Sequence, residues 1–196
     1  DLSKPAYDPD ARLDEGPPGP VELAPFFCSK FELTQAQWER VTGASPSVYK
    51  RGVSWGGIMV QGTHPVENVS WEECTRALAW IDLLLPTEAQ WEYAARADTT
   101  TPWSTGAQRA SLAGVANLAD RAADRMGSAW PAILDWPELD DGFAAHAPVG
   151  SFLANAFGLH DAHGNVAEWC RDVHRERSYT WPARQGDGLR AGVEGP

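Results

Sequence analysis

The chain has 196 residues, 43% of them hydrophobic and 22% charged, and a formal net charge of −11. That is globular composition with material for a core, and no apolar run approaches the ~18 residues of a membrane span. An acidic surface repels phosphate backbones, so the expected partners are proteins, peptides or small ligands, with no nucleic acid and no membrane.

Residues 1–20 are rich in Pro, Gly and Asp and read as an extended lead-in to one domain over 21–196. The start carries no apolar leader core. The three cysteines, Cys28, Cys74 and Cys170, are odd in number and widely spaced. Neither a disulfide framework nor a zinc motif follows from them. Both points favour a cytoplasmic setting, with the thiols as buried structural groups. Ten tryptophans are spread from Trp38 to Trp181. They read as rings that fill space around much irregular backbone, not as one cofactor box.

Val21 to Phe31 (VELAPFFCSKF) reads as a strand broken at Pro25. Three helix starts follow, each with a capping box. Thr34-Gln35-Ala36-Gln37 opens a helix that stops at Gly43. Ser70-Trp71-Glu72-Glu73 opens the second, with Trp71, Cys74, Leu78 and Ile81 on one stripe. Thr87-Glu88-Ala89-Gln90 opens the third, just after Pro86. In each, the hydroxyl accepts from the N3 amide while the N3 side chain reaches back. Glu88 and Glu92 lie one turn apart there, and helix-start electrostatics explains them more simply than paired acid–base chemistry.

Pro46 to Asn68 is Gly- and Ser-rich and ends in an extended His64-Pro65-Val66 step. Residues 98–147 keep no sustained period, and so long an irregular stretch calls for a pin such as a bound ion. APVGSF, from Ala147, reads as a short strand. Asn155 to Trp169 holds a Gly-rich turn and then a β-capable segment. Residues 182–196 read as loop. His160 and His163 flank Asp161, yet no His-Glu-x-x-His is present, so they read as loop histidines. No nucleophile elbow, Walker loop or dinucleotide fingerprint occurs.

Four segments, FELTQAQWERVTGASPS, THPVENVSWEEC, LPTEAQWEYAARA and APVGSFLANAFGLHDAHGNVAEW, stand in an order and spacing that resembles the formylglycine-generating-enzyme (sulfatase-modifying factor) family. The resemblance covers roughly residues 20–180. It implies an α+β, C-type-lectin-like fold, loop-rich, with short antiparallel sheets and two to three helices. It also implies oxygen-dependent oxidation of a protein cysteine, or a related thiol, to an aldehyde. Copper is the metal such chemistry uses, and soft thiolates are its ligands. In the family a cysteine pair far downstream supplies them, beside an Arg-Gly-Gly-Ser-Trp stretch. None of Cys28, Cys74 or Cys170 stands at those positions, and the chain reads as ending about where that stretch begins. Catalytic residues are therefore not assigned.

The resemblance carries over two structural calcium sites. The first takes Asn117, the backbone of Leu118, Asp141 and the backbone of Phe143. The second surrounds the Gly-Asn turn, with Asp161, the backbones of Gly164 and Val166, and Glu168. Mixed carboxylate, amide and carbonyl oxygens suit calcium; the alternative is that these side chains hydrogen-bond loop backbone. Two other functions share the fold. One is a ligand-display protein of the kind diversified by retroelements. The other is the second half of an iron-dependent sulfoxide synthase, which needs a histidine-rich helical domain upstream. Fold alone does not choose among them.

Overall fold

The computed structural model describes residues 15–16, 18–128, 130, 135–175 and 178–190. Most of the lead-in expected over 1–20, and the last six residues, lie outside that set. All three sequence-read helices are present. They are α1 (Gln35–Thr42), α2 (Trp71–Ala79) and α3 (Glu88–Arg96). Thr34, Ser70 and Thr87 each close a complete capping box with Gln37, Glu73 and Gln90. Two of the orphan amides at each helix start are thereby satisfied within four residues of chain. Gly43 ends α1 in the left-handed region at φ 72°, where glycine carries no Cβ penalty.

The strands differ from expectation. The sheet is one antiparallel pair, β1 (Ser54–Trp55) and β2 (Ile58–Met59), in the register Ser54↔Met59 and Trp55↔Ile58. Gly56 and Gly57, at φ 55° and 83°, make the two-residue turn whose twist matches its strands. A Cβ on Gly56 would stand 2.5 Å from that of Ala144, so the hairpin tip seats directly on the 144–147 segment.

Val21 to Phe31 forms no strand. It makes one parallel bridge, Leu23 to Gly186. Pro25 lacks a ladder donor, and Phe27 stands fully exposed. APVGSF likewise turns instead of pairing. Val149 N–H bonds Thr63 O at 3.0 Å, Gly150 N–H bonds the Asp161 carboxylate at 2.6 Å, and Gly150 sits at φ 74°. The β-capable segment before Trp169 makes no ladder either. Backbone polar groups here are satisfied loop to loop, which sequence periodicity does not report.

Inside the irregular 98–147 stretch a short helix appears, α4 (Arg121–Arg125). Asp120 caps it, and its other oxygen accepts the Asp141 amide at 2.6 Å. Two apolar clusters form the core. Trp38, Cys74 and Ala77 join α1 to α2, with Leu33, Val66 and Leu85 packed on them. Leu112, Ala116 and Leu139 hold the later loops, with Trp103 and Trp136.

Two expectations about side chains are corrected. Trp38 is buried, but Trp55, Trp71, Trp80, Trp130 and Trp169 are exposed, so the rings are not mainly filler. On α2 the buried stripe is Cys74 and Ala77, while Trp71 and Ile81 face solvent.

The end of the described chain docks on α3. Thr87 Oγ1 donates to Asp187 O at 2.5 Å. Asp172 accepts from Glu88 N–H at 2.7 Å and from Arg190 N–H at 2.9 Å. Tyr179 donates its hydroxyl to Glu88, and Glu92 pairs with Arg96 at 2.7 Å. Both α3 carboxylates are thus engaged, by Tyr179 and by Arg96.

Candidate functional site

The Gly-Asn turn is the organising feature. Asn165 takes φ 68°, a conformation asparagine tolerates better than other side chains. Its side chain locks it there: Oδ1 accepts Ala147 N–H at 2.8 Å, and Nδ2 donates to Glu32 Oε2 at 2.6 Å. Its backbone N–H reaches Asn117 O at 2.9 Å. A Cβ on Gly164 would lie 2.1 Å from that same carbonyl. Only glycine lets the turn press on Asn117, and this contact brings the two expected ion loops side by side.

Three carboxylates meet around the turn: Glu32, Asp161 and Glu168. Asp161 is 5% exposed and held at φ 61°. One of its oxygens takes the Gly150 amide, while the other, Oδ1, is buried with no partner. Glu32 Oε1 is also buried and unpartnered. Burial pushes the Glu32 carboxyl up to about 8; the charges of Asp161 and Glu168 add to the rise, against hydrogen bonds from Asn165 and the Val166 amide. Asp161 and Glu168 are also raised, by loss of water first, and Asp161 adds to the rise at Glu168. Glu168 keeps some solvent contact and accepts the Trp91 indole N–H. Crowded, partly unsatisfied anions are stabilised either by protons or by a cation.

The first expected quartet is also assembled, in a different state. Asp141 Oδ2 accepts the Asn117 amide at 3.0 Å and the Leu118 N–H at 2.7 Å, and Oδ1 accepts the Phe143 N–H at 2.8 Å. Leu118 and Phe143 thus present N–H donors to Asp141 here, where calcium would need their carbonyls. Burial pushes Asp141 up to about 6, against the pull of those amides. The residues belong together, and Asp141 staples the loop. Among the described residues no three His, Cys, Asp or Glu side chains converge as a metal cluster. An ion at either loop would therefore draw largely on backbone and amide oxygens, as calcium does.

The three cysteines do not fit copper. Cys28 is exposed, against the expectation of a buried thiol, Cys74 is buried on α2, and Cys170 follows the Gly-Asn turn. All three are raised, first by burial; Cys170 reaches about 12, with Glu88, Asp172 and Glu168 adding to it. All three are free thiols, and no metal cluster that includes them occurs among the described residues.

Two polar features, Glu32 and a histidine pair, escape the sequence reading, and a third, His163, is read there only as a loop histidine. Glu32 is one of many acidic residues and carries no motif of its own. His64 and His146 are 1% and 7% exposed, and their Nδ1 atoms are 2.9 Å apart. With both rings neutral, one Nδ1–H donates to the other Nδ1, so one of the pair's two ring protons lies between them. Burial lowers both, His64 to about 4, where the His146 charge also opposes protonation. His163 Nε2 accepts from Ser104 N–H at 3.1 Å and lies 2.8 Å from Ser104 Oγ. This bond fixes a loop: both Ser104 groups point at one nitrogen. A cleft of about 560 Å³ opens beside the Gly-Asn turn, walled by Tyr49, Val69, Trp130, His146 and Trp169.

The class is set first by this architecture: a loop-rich α+β module of C-type-lectin-like type, with three box-capped helices around a Gly-Asn turn. The family follows from comparison with known proteins. The Sulfatase-modifying factor enzyme 1-like domain model matches residues 5–193, and the chain belongs to that family. A formylglycine-generating enzyme of Thermomonospora curvata is 27% identical over 236 residues, covering 96% of this chain and 73% of the relative. The structure of PvdO from Pseudomonas aeruginosa superposes with a TM-score of 0.66 at 26% identity, covering 92% of this chain and 71% of that one. Treponema denticola variable protein 1 shares the fold, with a TM-score of 0.56 at 24% identity over 74% of this chain and 61% of that one.

Proposed function

We propose that this domain serves oxygen-dependent oxidation of a protein cysteine, as the calcium-pinned scaffold that holds the substrate segment. The observation that carries this reading is the family match across residues 5–193, which includes every loop around the Gly-Asn turn. The fold's own residues would bind and orient. Asp161, Glu168 and the carbonyls of Gly164 and Val166 would hold one calcium, with Glu32 beside them. Asn117, Asp141 and the carbonyls of Leu118 and Phe143 would hold the other. With charge neutralised there, the turn would stay rigid and the cleft beside it would keep one shape. Copper would supply the oxygen chemistry, and no residue described here is assigned to it. The test is aldehyde formation on a cysteine-bearing peptide by the natural full-length protein with copper(I) and oxygen. Failure to form aldehyde, with calcium bound and the fold intact, overturns the catalytic reading.

A second reading has a specific observation behind it. The three cysteines are free and form no metal cluster among the described residues, which suits a non-catalytic ligand-binding domain on the same scaffold. Ligand binding without any thiol chemistry is the outcome that would favour it.

A further inference from the structure

We propose that the cleft beside the Gly-Asn turn is a site for an organic cation, an ammonium or guanidinium group carried by a peptide or small molecule. The inference deepens the reading above, because it names the chemistry of what the scaffold holds. It rests on the walls of the cleft and on which of their polar atoms remain uncommitted.

The walls carry three large rings, Tyr49, Trp130 and Trp169, with Trp130 and Trp169 each about half exposed. Aromatic faces attract cations through their quadrupole. No lysine or arginine lines the cleft among the described residues. The histidine that does, His146, is lowered by burial and stays neutral. No fixed positive charge competes with an incoming one.

Several of the side-chain donors are already used. Asn68 Nδ2 donates to Pro46 O at 3.0 Å. Trp169 Nε1 donates to Val69 O at 3.0 Å. Asn117 and Asn165 spend their amide N–H groups on Asp141 and Glu32. What remains is mostly acceptor. Glu67 gives one oxygen to the Tyr49 N–H at 2.9 Å and keeps the other, and Asn68 keeps its carbonyl. Both lie on the segment after His64-Pro65 and neither is assigned to calcium, while Asn117, Val166 and Glu168, which are, border the same cleft. Two carboxylates, Glu67 and Glu168, one amide carbonyl and three rings around the cleft favour a ligand with N–H donors and positive charge. The net charge of −11 steers such a ligand inward.

The test is calorimetric titration of the calcium-saturated full-length protein with three probes: the N-acetyl amides of lysine, arginine and norleucine. The lysine or arginine probe is expected to bind, more weakly as salt rises, and the neutral norleucine probe at least about tenfold more weakly. The two cationic arms decide between ammonium and guanidinium. Glu67→Gln keeps the acceptor for Tyr49 N–H, so its melting temperature should hold while cation affinity falls about tenfold; Trp130→Ala should weaken binding severalfold. Equal binding of the norleucine probe, no heat with either cation, or unchanged affinity in Glu67→Gln overturns the proposal. A neutral cysteine peptide oxidised as fast as a lysine-bearing one would also overturn it, and would leave the oxidation reading standing. Cation binding without oxidation does the reverse.

Discussion

Glu32 and His64 titrate in opposite senses, and that separates their contributions to stability. Glu32 is raised from 4.5 to about 8, so the folded state keeps a proton that the unfolded chain releases. Without calcium, its contribution to stability is lost as pH rises across that window. His64 is lowered from 6.5 to about 4, so the folded state resists a proton that the unfolded chain accepts. Its contribution is lost as pH falls from 6.5 toward 4. Thermal melts in chelator should therefore decline on both sides of a mid-range optimum. Glu32→Gln should flatten the alkaline decline alone, and His64→Gln should reduce the acidic one. Calcium should cancel the alkaline decline in the parent; at about a hundredfold over Kd it should add roughly 2.7 kcal/mol, or about 5–10 °C. A melt at pH 8 that calcium leaves unmoved would contradict the proposed ion sites. Glu32 was not legible in the sequence because nothing local marks it: its role depends on Asn165, 133 positions away.

The helices were legible because their determinants are local. A capping box needs four residues, and three such boxes stand where α1, α2 and α3 begin. Strands are decided by distant partners, and here the partners are loops. VELAPFFCSKF and APVGSF have strand-like composition, yet their amides find Gly186, Thr63 and Asp161. The β1–β2 turn is short-range, since Gly56-Gly57 marks it, but the flanking strands are only two residues each and have no period to read. The caps also differ in reach. Ser70 acts only on its own helix, and its cap bonds are exposed. Thr87 is fully buried and also donates to Asp187 O. Ser70→Ala should cost about 1 kcal/mol, and Thr87→Ala about 2 kcal/mol or more, because it also orphans a carbonyl. Thr87→Ser should recover most of the loss. Urea midpoints on the three variants check this, and equal losses would mean the Asp187 contact carries nothing.

Across the whole molecule, the Gly-Asn turn is where separate loops become one structure. Gly164 presses on Asn117, Asn165 spans Glu32 and Ala147, and Asp161 holds Gly150. Gly164→Ala should cost at the upper end of the overpacking range, about 3 kcal/mol or more, because the obstacle is backbone that cannot rotate away. A urea midpoint close to the parent's would show that the loop yields. Of the eight ion-loop residues that the resemblance names, Asn117, Leu118 and Phe143 are joined through Asp141 by hydrogen bonds; that any of the eight holds an ion is part of the proposal. The resemblance did not locate the cleft or the buried histidine pair, since both arise from packing between segments that sequence order keeps apart. The central claim is that this scaffold serves oxidation of a protein cysteine. Its most direct test is mass spectrometry of a cysteine-bearing peptide after incubation with the natural full-length protein, copper(I), calcium and oxygen. Conversion of the cysteine to an aldehyde, dependent on oxygen, is the expected result. An unaltered peptide, from folded and calcium-bound protein, would contradict it and leave a binding domain.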